Sequence, residues 1–514
     1  MLSYCNIEII FISINIGIFL LVMAKGDELK EKLLHKQSDL EEIAEDEESL
    51  WKRVWEESKK MWLVAGAAIF FRFSIFGITV VNQAFIGHIG SMELAAYAVV
   101  MTLLVRFALG LLLGMSSALG TLCGQAYGAK QYNMLGLHLQ RSWIVLLVAS
   151  TILLPIFIFT TPILKALGQE ESIVKEAGHI SLWSIGVVYG YSISFTCQIF
   201  LQVQSKNMIV SYLAAASLVI HVILSWLLTV KFKFEVNGAM GSTVVAYWLS
   251  NLGQVLYILY KCPETWYGFS SSAFKDLWAV TKLSLSSGVM LCLEMWYYTI
   301  LILLTGNLEG AEISLGALSI CLNINGWGLV IAMGFCTAAS VRVSNELGRG
   351  SAKAVKFSIW ITVLTSLAIG IVFFFIIIFL KEKLAYIFTT SPEVVEAASD
   401  LSSLLAISML LNTVQPVLSG VAVGAGLQGI VAYVNIASYY IIGIPFGILI
   451  GFYFDLKVKG VWLGMLFGTF VQTIVLIIIT SRTDWDQQVE KAKNRLNKFG
   501  GVENSEITSS GTSI

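Results

Sequence analysis

The sequence predicts an all-α integral membrane protein of twelve transmembrane helices in two pseudo-symmetric lobes of six. Three observations carry that prediction: a charge-poor apolar composition, twelve apolar runs of bilayer length, and a repeat that halves the chain. The 514 residues are 56% hydrophobic and 13% charged, with mean hydropathy +0.77. A soluble globular chain carries about 25% charged residues, and this much apolar sequence on a soluble fold would leave large sticky patches. Lipid-facing helices need no polar skin, since each satisfies its own backbone. A net charge of −1 gives no footprint for nucleic acid. Cys5, Cys123, Cys197, Cys262, Cys292, Cys321 and Cys336 lie mostly in apolar runs without CxxC spacing. They read as small hydrophobes rather than a disulfide or metal framework.

A span takes about 20 mostly apolar residues. Twelve fall at roughly 62–86, 94–119, 139–164, 178–203, 208–230, 238–260, 279–305, 313–341, 356–380, 399–423, 428–453 and 459–481. Pro155, Pro416 and Pro445 fall inside spans, where each removes a backbone donor and favours a bend. With the N terminus cytoplasmic, the cytoplasmic segments hold roughly 23 Lys and Arg against roughly 8 opposite, so both termini are expected in the cytoplasm. Residues 24–60 are highly charged and are expected to be disordered or a surface helix near the bilayer. The apolar run from about residue 8 to 23 has no Lys or Arg before Lys25, so it lacks signal-peptide grammar. The reading adopted is that residues 1–22 lie upstream of a biological start at Met23.

The repeat pairs "GHIGSMELAAYAVV" (87–100) with "GNLEGAEISLGALS" (306–319), and "GMSSALGTLCGQAYGA" (114–129) with "GFCTAASVRVSNELGR" (334–349). It also pairs "VNGAMGS" (236–242) with "VKGVWLG" (458–464), all at offsets of 219–222. A near-constant offset is stronger than any single match. Six spans per half put both halves into the membrane from the same side, a parallel repeat about the membrane normal. The expected organisation is an N-terminal region 1–60, a first lobe 61–260, a connection 261–278, a second lobe 279–481 and a cytoplasmic tail 482–514. Two such lobes describe a secondary transporter rocking around a midplane site. No Walker A motif or filter-like loop occurs, so ATP hydrolysis and a filter-type channel find no support, and no cofactor or metal is called for.

The run "VMLCLEMWYYTILILL" (289–304) holds one carboxylate, Glu294, the only acid deep within any span. An acid at the bilayer centre costs about 2.5–3.5 kcal/mol on insertion scales and usually faces a cavity. Removing water favours the neutral form of a carboxyl, so Glu294 is the expected proton carrier. Each unit of ΔpH supplies about 1.4 kcal/mol per proton, and 100 mV adds about 2.3 kcal/mol per charge, enough for a substrate gradient of about tenfold to several-hundredfold. The bland alternative is a protonated Glu bonded to a neighbouring helix.

Arg72 in span 1 matches Leu291 under the repeat, one turn from Glu294, which raises an Arg72–Glu294 pair across the lobes. Snorkelling of Arg72 to the interface is the competing reading. Arg106 in span 2 matches Asn325 in "SICLNINGWG", where Asn323 also lies; cavity lining and helix–helix hydrogen bonding both stay open. Trp296 and Tyr298 are candidate stacking surfaces for a flat or cationic substrate, against plain core packing. The glycines of "GLLLGMSSALG" read as close helix contacts.

The blocks "LGTLCGQAYGAKQYNMLGLHLQRSWIVL" (119–146), "CLEMWYYTILILLTGNL" (292–308), "SVRVSNELGRG" (340–350) and "QPVLSGVAVGAG" (415–426) resemble the plant branch of the multidrug and toxic compound extrusion (MATE) transporters. The likeness spans about residues 50–500. It implies two six-helix lobes forming a V around a central cavity, and proton-coupled export of organic compounds to the vacuole or out of the cell. Substrates across the branch include flavonoids, alkaloids, hormones and citrate, and this stretch is similar to flavonoid-transporting members. The resemblance assigns the proton-linked role to the Glu of "CLEMWYY", here Glu294. Some members pair it with an Asp in the tenth helix. Here that position, in "LLNTVQP", is Asn412, which cannot titrate. A proline common near the start of the first helix is absent from "AGAAIFFRF". The expected protein is therefore a monomeric proton/organic-solute antiporter of the vacuolar or plasma membrane, and not an enzyme. Its partners are a small organic substrate, protons and the bilayer; a passive facilitator or a lipid-like substrate flippase are the alternatives. Sodium coupling would call for more oxygen ligands than one deep carboxylate supplies.

Overall fold

The computed structural model describes residues 28–166, 168–306, 311–389 and 391–510; the apolar run at 8–23 and the proposed start at Met23 lie outside them. Contacts divide the chain into two units, Met1–Lys60 and Met61–Ile514. The described part of the first unit is helical, and it exposes Trp51 and Trp55.

The first lobe comprises α1 (Glu28–Ile89, from Met61 on), α2 (Ser91–Gly128), α3 (Asn133–Ile158), α4 (Glu171–Val203), α5 (Asn207–Lys231) and α6 (Glu235–Lys261). The second comprises α7 (Leu277–Gly306), α8 (Ala311–Arg349), α9 (Ala352–Tyr386), α10 (Pro392–Ala425), α11 (Gln428–Tyr453) and α12 (Lys457–Arg482). A further helix, α13 (Trp485–Ser510), follows. Among the described residues no strand occurs. Among the described residues, eleven helices are long and apolar enough to cross a bilayer by themselves. The twelfth, α6, has the length, but its inward face is polar: Asn251 Nδ2 donates to Gly190 O (2.9 Å), and Ser242 Oγ bonds Ser225 Oγ (2.7 Å). Such groups lower hydropathy while gluing α6 to α4 and α5.

Helix ends correct the hydropathy reading in one place. Span 3, expected to reach 164, stops at Ile158, where the Phe159 N–H bonds Pro155 O (2.9 Å). A short helix, Thr160–Ala166, then carries Pro162, whose missing N–H suits a helix start. The same helix begins at Asn133, before the expected start of the span, with Met134, Leu135 and Leu139 buried.

The lobes meet along α2, which packs on α7 and α8. Small residues permit that approach. A Cβ at Gly114 would lie 2.5 Å from Ser287 O, and one at Gly288 would lie 2.8 Å from Met115 Cγ. This close contact occupies the C-terminal half of α2. Around its N-terminal half the lobes diverge and leave the cavity described next. In α11, Pro445 sits between two π-helical stretches, Ile436–Gly443 and Leu449–Tyr453, a local rearrangement typical of a helix interrupted by proline.

Candidate functional site

One face of α7, with Leu291, Glu294, Met295 and Tyr298 at helical spacing, lines a central cavity of about 500 Å³. A second, much tighter compartment of about 70 Å³ continues from it toward the lobe contact, and both share Arg72, Leu113, Phe195, Leu291, Glu294 and Met333. Glu294 is 7% exposed. Among the described residues lining either compartment it is the one carboxylate. The Gln415 amide of α10 stands beside it, while Oε2 has no hydrogen-bond partner.

Behind Glu294, the second lobe holds its polar groups in closed sets. Tyr298 OH donates to Asn412 Oδ1 (3.0 Å), and Asn412 Nδ2 donates to Asn325 Oδ1 (3.1 Å) and Ser408 Oγ (3.4 Å). The turn of α7 bearing Glu294 is pinned from α11. Asn435 Nδ2 donates to Met290 O (3.0 Å), and Tyr440 OH donates to Leu293 O (2.9 Å). Gln472 of α12 donates to Asn435 Oδ1 (2.6 Å) and accepts from Tyr439 OH, while Tyr297 stacks on Tyr439 and donates to Met465 O (3.0 Å). These partners escape a search restricted to charged residues. The signal for them is the amide and tyrosine content of "VNIASYY" and of Gln472 inside otherwise apolar spans.

The first lobe contributes cations. Arg72 lines both compartments; its Nη2 donates weakly to Thr337 Oγ1 (3.5 Å), and its Nε is buried without a partner. The structure makes no Arg72–Glu294 ion pair, so the two share a cavity without the cross-lobe contact raised by the repeat. Arg106 lines the larger compartment and opens onto it. Of the other expected cavity residues, Tyr298 lines the cavity. Asn325 and Asn412 are buried behind it, and only Asn325 borders a small pocket of about 10 Å³. Trp296 and Asn323 lie outside the cavity. Trp296 is 39% exposed with its ring edge-on to Phe107, and Asn323 is exposed and bonds Ser319 O (2.9 Å) on its own helix.

One family model, MatE, matches this chain twice, over residues 67–227 and 287–449, the second match beginning 220 residues after the first. The chain belongs to the MATE family. The spacing of the two matches is that of the internal repeat. Protein DETOXIFICATION 21 of Arabidopsis thaliana is 59% identical over 92% of this chain and 96% of that protein. DETOXIFICATION 20 of the same plant is 58% identical over equal shares. Among solved structures, the crystal structure of the eukaryotic MATE transporter AtDTX14 superposes with TM-score 0.82 at 32% identity, covering 86% of this chain and 99% of that one. An outward-facing multidrug resistance MATE transporter shares the fold, with TM-score 0.73 at 15% identity over 85% and 97%. The twelve-helix, two-lobed architecture is thus that of MATE transporters.

Proposed function

We propose that this MATE chain is a proton-coupled antiporter that exports organic solutes by alternating access of its two lobes, bounded at 61–260 and 279–481 and joined by 261–278. The observation that carries the reading is the placement of Glu294. A lone carboxylate with an unpartnered oxygen stands where both compartments meet, on a helix turn that the second lobe holds in place. A group so placed can take up a proton from the cavity when it faces one side and release it when it faces the other. Arg72, Arg106 and Tyr298, beside the aromatic walls, supply hydrogen bonds and stacking for the solute. Substrates of the flavonoid or alkaloid class fit a wide cavity of mixed aromatic and polar lining. The chain acts as a monomer in the vacuolar or plasma membrane with both termini cytoplasmic.

The test is reconstitution into proteoliposomes with an imposed pH gradient and a panel of flavonoid glucosides and alkaloids. Antiport predicts accumulation above equilibrium that a protonophore abolishes. Flux that only equilibrates the compound, unchanged by the protonophore, would make the protein a facilitator and defeat the proposal.

A further inference from the structure

The face on which the lobes touch is covered by α13, expected from sequence only as part of a tail. Its buried residues Trp485, Gln488, Ala492 and Leu496, with Val489 packed beside them, recur at helical spacing along one side. The helix follows α12, packs on α8 and α9 of the second lobe, and reaches α2 of the first. There Arg495 Nη1 donates to Gln125 Oε1 (2.9 Å). Its Nη2 lies against Gly426, the left-handed residue (φ 79°) that ends α10; a Cβ at Gly426 would come within 2.7 Å of that nitrogen.

Gln125 belongs to the seam itself. Its Nε2 donates to Gly424 O of the opposite lobe (3.3 Å). One turn earlier, Thr121 Oγ1 donates to Val423 O (2.5 Å) and accepts from Gln428 Nε2 (2.9 Å). An amide has one acceptor end and one donor end. With a guanidinium holding the oxygen of Gln125, its nitrogen is turned toward the Gly424 carbonyl. The arginine therefore strengthens two cross-lobe bonds at once, and its own is charge-assisted.

We infer that α13 is a latch: a helix carried by the second lobe that fastens the first lobe at its closed face through Arg495 and Gln125. The inference rests on alternating access, because the lobes must part along this seam in one half of the cycle, but it does not require proton coupling. Each opening then breaks the Arg495–Gln125 contact. Whatever lifts α13 off α8 and α9 favours the state open at this face, so the helix is a point at which turnover can be regulated.

Hydrogen–deuterium exchange of the full-length protein in detergent reads the seam without any substrate or gradient. Arg495→Ala is expected to raise exchange across residues 119–129 about tenfold, the loss typical of one charge-assisted bond. Arg495→Lys, which keeps a cationic donor for the Gln125 oxygen, should recover most of that protection, whereas Arg495→Met, which keeps the bulk and loses the donor, should not. A thermal melt of each variant confirms folding. Unchanged exchange in Arg495→Ala, or equal exchange in Arg495→Lys and Arg495→Met, would overturn the latch. Because exchange is measured without transport, failure of proton coupling elsewhere leaves this test intact.

Discussion

The two walls of the cavity are built on opposite principles. On the second-lobe side, the polar groups of Tyr298, Asn412, Asn325, Asn435 and Gln472 are largely bonded to one another or to backbone carbonyls. On the first-lobe side, Arg72 has a single weak contact and a buried, unpartnered Nε, and Arg106 faces open space. A satisfied polar network fixes positions. Unpaired buried donors cost stability until a ligand occupies them. Under the proposed function the difference divides the work: the second lobe holds Glu294 in place, and the first offers donors to a solute.

Substitutions separate those roles. The largest effect is expected on solute binding. Arg72→Gln and Arg106→Gln should each weaken affinity for the best substrate about tenfold, one lost charged contact, with the melting temperature nearly unchanged; a large fall in melting temperature would show that these arginines are structural. Asn412→Leu should do the reverse. It strips partners from Tyr298 and Asn325, so a loss of about 1–2 kcal/mol in a detergent unfolding assay is expected, and unaltered stability would break the idea of a closed network. Asn412→Asp is a sharper version. It keeps the acceptor for Tyr298 and adds a second acid, so the proton-to-solute ratio measured from paired fluxes should rise toward two; an unchanged ratio would mean that Glu294 works alone even with an acid beside its network. The smallest effects belong to Trp296→Ala and Asn323→Ala, outside the cavity, with stability changes within about 0.5 kcal/mol and transport rates like the unaltered protein. A transport defect in either would move the solute path.

Spans, lobes and the acid were legible in the sequence because each rests on a strong contrast: apolar against charged, repeated against unrelated, one carboxylate against none. Which side of a helix faces the cavity was not. Lipid tails are as apolar as a protein core, so the azimuth of a residue leaves little trace in hydropathy. Trp296 and Tyr298 illustrate the point, two residues apart on α7 and yet outside and inside the cavity. The repeat put Arg72 and Glu294 at similar depth and raised a pair between them, which the structure does not make, because contact depends on how far the lobes stand apart. Asn435 and Gln472 were missed for another reason. Neutral amides carry no insertion penalty large enough to stand out, although here they hold the turn on which the acid sits.

The most direct measurement compares Glu294→Gln with the unaltered protein in proteoliposomes, in two modes. Glutamine keeps the shape and hydrogen-bonding capacity of the side chain but carries no exchangeable charge. Solute counterflow without a gradient should persist, and accumulation driven by an imposed pH gradient should vanish. If the glutamine variant still concentrates solute against its gradient with the same pH dependence, the proton moves elsewhere and the role given to Glu294 is wrong.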